Sequence, residues 1–554
     1  MPLALIIVTA LAVLWLAERS VEHLALAIAA MCFSTAVLLF AVTDLERSIL
    51  LSSILATGIF GASKVKYDHS GIKLIATDFS LVFAGTVPFL MAQYPRALAT
   101  VLIGSIELVL AAAATLIYVN GPPVSLEFQL LFLGIAGVGL AAAYKASGGP
   151  AAFQRNVALP RSFLSSFVAS MLNPLSWRQS GGLALSDIAK DSLPLMAAVP
   201  ARRHDYPDII VIQHESAFDP RLFGLPLEPI VESFLSPENG LHGSLNVDIF
   251  GGGSWQSEFS LLTGLSSASF GSNAYFLFQR GAGRFHSSLP KTLAALGYRT
   301  MLTSSCRRSF LNYDSFYRSI GIDQRLFTED FDLPFDINRF EATSSDALFL
   351  NAALAAHMKA ITVDASPRFL YALTNFNHGP HNRKLVTPGH FEGERAFAAA
   401  SFPDTYYAEY YARLVETAVT WNRLKSELSS RFPGRPTLIV HYGDHQPVMT
   451  RRIEKKLKLD LDPRRQFRTF YAIETLNDVS DRIPCGRGPD LDIAFLGTVA
   501  LQHAGLPLDE IFATRASLLE HCGGAYFASA SERKRRFHRT LVDLGMIDVA
   551  SPVR

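Results

Sequence analysis

Asp248-Ile249-Phe250-Gly251-Gly252-Gly253-Ser254-Trp255-Gln256-Ser257-Glu258-Phe259 is the stretch around which this chain reads. A β-rich run, Ser244 to Phe250, feeds the glycines, then a serine, then a helix-compatible segment. Glycine lets the backbone take positive φ and approach a ligand closely. A serine at the helix start that follows sits where backbone N–H groups and the helix dipole favour an anion. That position suits a nucleophile that attacks phosphorus or sulfur. The competing reading is a glycine-rich turn with Ser254 as an ordinary N-cap. The stretch alone does not choose between them, so the flanking sequence has to.

The chain has 554 residues, enough for two or more domains. Its formal net charge of +1 offers no bulk basicity to draw it to nucleic acid. Hydrophobic residues reach 49%, a high share for a soluble protein. Cys32, Cys306, Cys485 and Cys522 have no CxxC spacing, which removes a zinc-finger reading, and they do not form a dense disulfide framework. In an oxidising compartment Cys485 and Cys522 could bridge; two thiols fit the sequence equally well.

Upstream of residue 145 apolar runs dominate, near 2–17, 24–43, 48–63, 79–93, 97–118 and 128–144. A helix needs roughly 20 apolar residues to cross a bilayer, so the shorter runs leave the count at five or six spans. No basic segment precedes the first run, which argues against a cleaved signal peptide. Lys64, Lys66 and Lys73 fit a cytoplasmic loop, and the loop from Asn120 to Glu127 lacks Lys and Arg. Because one short segment more or less reverses the topology, the charge rule does not settle it. Glu107 lies inside the run 97–118 and is either functional or a hydrogen-bonding link between helices. Residues 146–205 read as a juxtamembrane connector, with 162–172 as an amphipathic interfacial helix.

From residue 206 to 554 the pattern becomes that of an α/β domain. β-like runs recur at Asp208–Gln213, Ser244–Phe250, Tyr298–Thr303, Arg368–Thr374, Thr437–Tyr442 and Thr469–Glu474, with helix-like stretches such as Leu289–Leu296, Ser345–Ala360 and Tyr406–Ser430 between them. This alternation predicts a mainly parallel sheet covered on both faces. Ligands bind such sheets beyond the carboxyl ends of the strands. There the sequence places His214-Glu215-Ser216, Gly251 to Ser254, Asn375-Phe376-Asn377-His378-Gly379-Pro380-His381, and Gly443-Asp444-His445-Gln446. Each piece alone reads as a capped turn or a loop histidine. Together, Glu215, Ser254, Asp444 and His445 form an oxygen- and nitrogen-rich set suited to Mn²⁺ or Zn²⁺. Such an ion would lower the pKa of the serine hydroxyl and neutralise charge on a phosphoryl oxygen.

With these residues in hand, the chain resembles the membrane-anchored sulfatase-like phosphotransferases of the alkaline phosphatase superfamily. Lipoteichoic acid synthases and the phosphoglycerol transferases of periplasmic glucans belong to this group. The motifs that carry the resemblance are Val211-Ile212-Gln213-His214-Glu215-Ser216, Gly252 to Phe259 with Leu262-Thr263-Gly264, Asn377-His378-Gly379-Pro380, and Tyr442-Gly443-Asp444-His445. The implied fold is an N-terminal multi-span helical membrane domain, 1–145, followed after the connector by a C-terminal α/β sulfatase-like domain with a mainly parallel central sheet, 206–554. The resemblance implies one divalent metal, Mn²⁺ first with Zn²⁺ or Mg²⁺ as alternatives, on Glu215, Ser254, Asp444 and His445. It makes Ser254 the nucleophile and puts His378 in the substrate pocket, assisting catalysis, with His381 beside it. It also implies a phospholipid donor, a glycan acceptor, a catalytic domain on the exterior side of the cytoplasmic membrane, and no nucleic acid.

This sequence departs from the family in places. The usual nucleophile there is threonine. The family's glycerol phosphate is gripped before a Tyr-x-x-Ile-Gly motif, here Tyr317-Arg318-Ser319-Ile320-Gly321. The expected Trp and Arg align with Leu311 and Tyr313, so Arg307 or Arg308 would supply the charge beside Tyr313. Ser254-Trp255-Gln256-Ser257-Glu258 lacks the Pro and Arg of a formylglycine signature, which counts against sulfate ester hydrolysis. Phosphoethanolamine transfer, phosphodiester hydrolysis, or an inactive membrane-anchored binding protein are the alternative functions.

Overall fold

A computed structural model describes residues 12, 14, 15, 17, 18, 20–70, 73–81, 91, 95–149, 161–173, 183, 185, 188–203, 205–308, 310–331, 345–460, 462–478, 484–526, 529 and 531–549. The chain divides into two compact units, Met1–Gly181 and Gly182–Arg554.

In the first unit the described residues hold 4 helices long and apolar enough to cross a membrane, within Val21–Val42, Leu45–Ser70, Pro95–Tyr118 and Leu126–Ala146. They cover the runs expected at 24–43, 48–63, 97–118 and 128–144. The runs 2–17 and 79–93 lie largely outside the described residues. The charged stretch after 63, expected as a loop, continues the second helix to Ser70. Its charges are paired: Lys64 with Asp68 one turn on, and Lys66 with Asp78 at 2.7 Å. Lys73 is buried and donates to Ser166 Oγ (3.2 Å). Glu107 is exposed on its helix and accepts no hydrogen bond from the described residues.

The helix expected at 162–172 forms, as Phe163–Leu172, but it is buried on nearly every face rather than lying amphipathically at an interface. Its serines explain why. Ser165 N–H donates to Glu18 (3.3 Å), and Ser170 Oγ accepts from Ala76 N–H (2.8 Å). Its polar face is therefore matched by protein groups instead of water.

The second unit is built on one nine-stranded sheet. Its strands are β1 Asp208–His214, β2 Gly240–Asn246, β3 Arg299–Ser304, β4 Gln324–Leu326, β5 Arg368–Leu373, β6 Thr437–Gly443, β7 Arg468–Leu476, β8 Gly486–Arg487 and β9 Leu491–Asp492. The order is β4-β3-β5-β1-β6-β7-β2-β8, with β9 also beside β2. β7 is antiparallel to both neighbours, β6 and β2, and the remaining pairs are parallel. Reversing one strand and then reversing again leaves β2 pointing the same way as β1, β5 and β6.

β1 and β6 are buried along their whole length, each around an apolar centre, Ile209–Ile212 and Leu438–Val440, as strands covered on both faces must be. Ile209 and Val211 face one core layer, and Ile210 and Ile212 face the other. Helices Trp255–Thr263, Leu289–Ala295 and Ile493–His503 fill the first layer, and helices Asp346–Val363 and Thr405–Arg431 fill the second.

The strand expected at Ser244–Phe250 is displaced toward the N-terminus, to Gly240–Asn246. Its partner β7 begins at Arg468, opposite Asn246, and one further backbone hydrogen bond, Val247 N–H to Phe467 O (2.9 Å), closes the ladder. Asp248 is then drawn away by Ser266 and Ser267, whose hydroxyls donate to its carboxylate at 2.8 and 3.0 Å. No disulfide joins Cys485 to Cys522.

Asp346 opens the helix Asp346–Val363, is 1% exposed, and accepts from Thr417 Oγ (2.7 Å). Burial pushes its carboxyl up to about 7, against the Thr417 hydrogen bond and with the Glu416 charge adding to the rise. An unfolded Asp titrates near 4, so between about pH 4 and 7 the folded state holds the extra proton. Stability from this group is full below that window and falls as pH rises through it, by up to about 1.4 kcal/mol per pH unit. Asp346→Asn has no such proton. Its stability relative to wild type should therefore climb between pH 4.5 and 7 in urea unfolding of the detergent-solubilised protein, and parallel curves would contradict the assignment.

Candidate active site

β1, β2, β5 and β6 run in the same direction, so their carboxyl ends share one edge of the sheet. His214 and Gly443 are paired in register at the ends of β1 and β6. The next residues, Glu215 and Asp444, therefore leave neighbouring strands at the same level. The close approach needs glycine at 443: a Cβ there would stand 1.9 Å from the Ala217 carbonyl oxygen.

The glycine run behaves as its composition requires. Gly251, Gly252 and Gly253 take φ of 78°, 152° and 92°, in the region that favours glycine. Gly251 N–H donates to Gln446 O (2.9 Å), tying this loop to the one that follows β6. Ser254 heads the helix Trp255–Thr263, but its side chain makes no capping bond. Its Oγ donates instead to Glu215 Oε2 (2.8 Å) and lies 3.3 Å from His445 Nε2. The ordinary N-cap reading is thereby excluded. Three residues further on, Ser257 Oγ donates to the Asp444 carbonyl (2.7 Å).

Glu215, Asp444 and His445 are all buried, and one ligand atom from each lies within 4.8 Å of the others. Burial alone would raise Glu215, but the charge on His445 and its hydrogen bond outweigh this and hold the carboxyl well below the usual range. Burial, and then the neighbouring Glu215 charge, drive Asp444 up. Burial would lower His445, yet Asp444 and Glu215 together lift it above the ordinary imidazole value. The three shifts share one cause, two carboxylates and an imidazole buried in mutual contact.

The hydrogen bonds show where a cation fits. Asp444 Oδ1 accepts from the backbone N–H groups of Ser216 and His445, each at 2.7 Å. Asp444 Oδ2 is buried with no hydrogen-bond partner, a costly condition for a carboxylate oxygen. His445 Nδ1 donates to Gln446 O (3.1 Å), which leaves Nε2 turned toward Glu215 and Ser254. An orphaned carboxylate oxygen, a second carboxylate, an oriented imidazole and a hydroxyl are a donor set that fits one divalent metal ion.

The histidines after β5 differ from each other. His378 is half-buried, and its charge helps to lower Glu215, so it stands near the cluster. Its Nδ1 donates to Gly379 O (2.6 Å), which assigns the lone pair of the neutral ring to Nε2. His381 is buried, donates from Nε2 to Asn377 O (2.8 Å), and packs against Tyr410. Burial, and then Arg413, push its pKa well down, so it braces the loop instead of presenting itself to a substrate.

The expected headgroup contacts need correction in two places. Arg308 is taken up by Asp314 (2.8 Å) and Asp330 (2.5 Å) and lies over the Phe327 ring. Tyr313 is 2% exposed and donates to Glu258 (3.3 Å) inside the core. Arg307, half-buried, follows the carboxyl end of β3 on the same edge as the cluster. Sequence reasoning gave no role to Ser216. Its φ of 53° turns its N–H onto Asp444, while its Oγ donates to Glu215 Oε1 (2.8 Å). The signal was a small polar residue directly after Glu215 at the end of a wholly buried strand. A cavity of about 810 Å³, lined by Arg299, Asp323, Lys359 and Arg368 among others, opens at the opposite edge of the sheet, where β3 and β5 begin.

Residues 207–470 match the sulfatase family model. This region is a sulfatase-like α/β domain. An uncharacterized Haemophilus influenzae protein is 27% identical over 316 residues, 55% of this chain and 55% of that protein, so the match spans about half the length of that curated relative. Among solved structures, the lipoteichoic acid synthase LtaP from Listeria monocytogenes is similar at 18% identity and a TM-score of 0.43, over 56% of this chain and 76% of that one. The Streptococcus pyogenes phosphoglycerol transferase GacH is similar at 16% identity and 0.45, over 62% and 87%. The Neisseria meningitidis lipooligosaccharide phosphoethanolamine transferase EptA is similar at 14% identity and 0.47, over 97% of both chains.

Two measurements test the geometry of the sulfatase domain. Mn²⁺ added to the metal-free protein should raise its thermal midpoint, by an amount equivalent to about 2.7 kcal/mol at a hundredfold excess over Kd, and Asp444→Asn should suppress the shift. Gly443→Ala should destabilise by about 1–3 kcal/mol, because the Ala217 carbonyl has to move. An unchanged denaturation midpoint in that variant would show that the two loops are not locked together.

Proposed function

We propose that this chain is a metal-dependent phosphotransferase. It moves a phosphoester headgroup, phosphoglycerol in the first instance, from a membrane phospholipid through a covalent Ser254 intermediate to a glycan. The observation that carries this reading is the Ser254 hydroxyl, withdrawn from its capping role and held between Glu215 and His445. Glu215, Ser254, Asp444 and His445 would hold one divalent ion, Mn²⁺ by preference with Zn²⁺ or Mg²⁺ as alternatives. That ion supplies charge neutralisation at the phosphoryl oxygens and a lowered pKa at the serine hydroxyl. The membrane-spanning helices support a lipid donor by keeping the domain close to the bilayer. We place the sulfatase domain, 206–554, on the exterior side of the cytoplasmic membrane, joined to the spans by the connector 146–205.

The steps use the residues as they lie. Ser254 Oγ, oriented by the hydrogen bond it donates to Glu215, sheds its proton and attacks phosphorus. A new Oγ–P bond forms, the bond from phosphorus to the diacylglycerol oxygen breaks, and diacylglycerol leaves as the alcohol with the proton that Ser254 shed. The glycines, lacking Cβ atoms, let the bulky phosphodiester approach the backbone before Ser254 closely. In the second half, His378 Nε2 takes the proton of the acceptor hydroxyl as that oxygen attacks phosphorus and releases Ser254. Arg307 is the cation we assign to the headgroup.

Ser254→Ala should abolish diacylglycerol release while the protein still folds and inserts, and turnover near wild type would remove the serine from the mechanism. His378→Ala should let the headgroup adduct accumulate on Ser254, read by intact mass. The adduct mass also names the headgroup, separating glycerol phosphate from ethanolamine phosphate. If His378→Ala instead prevents the adduct, His378 acts in binding or in the first step.

A further inference from the structure

Beside the site lies a set of polar side chains that the chemistry above does not use. Glu258 follows Ser254 by one helical turn, and its backbone N–H donates to the Ser254 carbonyl (3.1 Å). Its side chain turns into the core and is 1% exposed. There the carboxylate accepts from the Tyr317 hydroxyl, from the Tyr313 hydroxyl (3.3 Å) and from Gln213 Nε2 (3.4 Å). Gln213 Oε1 in turn accepts from the hydroxyls of Tyr442 (2.5 Å) and Tyr371 (3.1 Å), which lie 2.8 Å apart.

Each member sits close in the chain to a residue of the site. Gln213 precedes Glu215 by two positions on β1, and Tyr442 precedes Asp444 by two on β6, directly opposite Gln213 in register. Tyr371 belongs to β5, whose end leads to His378. Glu258 is on the helix that Ser254 heads. The surroundings are otherwise apolar and aromatic, with Phe259, Phe278 and Phe316 nearby in the same core layer. A leucine at 258 would fill that space, whereas a carboxyl and an amide are costly to bury unless satisfied. What the polar groups add is direction: hydrogen bonds fix angles as well as distances, and they reinforce one another in a network.

We propose that Glu258 and Gln213 are positioning residues, whose network fixes the rotation of the nucleophile helix against β1 and β6 and so holds Ser254 Oγ between Glu215 and His445. This rests on Ser254 as the nucleophile. The Oγ contacts of 2.8 and 3.3 Å leave little tolerance, and a shift of about 1 Å in a reacting atom lowers turnover by about 100-fold.

The test uses the full-length protein in detergent with Mn²⁺, reading diacylglycerol release from fluorescently labelled phosphatidylglycerol or phosphatidylethanolamine, whichever wild type turns over. Glu258→Leu should lower kcat by about 100-fold with KM nearly unchanged, and Glu258→Gln, which keeps an acceptor oxygen and adds N–H donors, should restore it to within about tenfold of wild type. Should Glu258→Leu fail to fold, Tyr317→Phe removes a single hydroxyl and should still lower kcat about tenfold at constant KM. A folded Glu258→Leu with kcat within about threefold of wild type, a Glu258→Gln no better than Glu258→Leu, or an unaffected Tyr317→Phe overturns the inference. Ser254→Ala run in parallel separates the two levels. If it is inactive while Glu258→Leu is active, only the positioning role fails. If it is active, the nucleophile assignment fails and this inference with it.

Discussion

Two carboxylates, Glu215 and Asp444, leave adjacent parallel strands at the same level and are buried together beside one imidazole and one hydroxyl. Like charges so placed repel, and burial magnifies the repulsion. The protein answers with close-range compensation. Ser216, turned by its positive φ, donates its N–H to one carboxylate and its hydroxyl to the other. His445 shares the remaining charge, and Asp444 Oδ2, 3.7 Å from His445 Nε2, keeps no hydrogen-bond partner. With Glu215, His445 and Ser254 beside it, an oxygen in that state is available to ligate a cation.

The rest of the sulfatase domain serves this arrangement. Parallel strands bring the chain back to one edge, and buried β1 and β6 hold it rigidly from both faces. Glycines at 251–253 and 443 let backbone pass where side chains would collide. Arg413, itself buried beside Glu409, donates to the carbonyls of Phe376, His378 and Arg383, so the loop carrying His378 is held from below. The cost of burying these polar groups is met locally by hydrogen bonds, which is why the site can be both dry and ordered.

How far this was legible in the sequence follows from the range of the forces involved. β1 and β6 carry apolar runs, Ile209–Ile212 and Leu438–Val440, that lead to Glu215 and Asp444-His445, so both the strands and the residues just past them could be read directly. The start of β2 could not, because it depends on where β7 begins and on the hydroxyls that pull Asp248 aside. The competition for Arg308 was invisible for the same reason: Asp314 and Asp330 come to it only through the fold. Residues 63–70 looked like a loop because their charges are dense, yet ion pairs within and beyond the helix absorb them. The helix Phe163–Leu172 showed apolar and serine positions, but whether those serines meet water or Glu18 is a tertiary fact.

The central claim is that Glu215, Ser254, Asp444 and His445 surround one divalent ion. Diffraction from Mn²⁺-soaked crystals, recorded at the manganese absorption edge, tests it most directly. The account predicts a single strong anomalous peak bounded by those side chains, within about 2.0–2.3 Å of the nitrogen and oxygen ligands. Saturating Mn²⁺ with no peak at that point, or a peak from which Glu215 and Asp444 are both turned away, would contradict it.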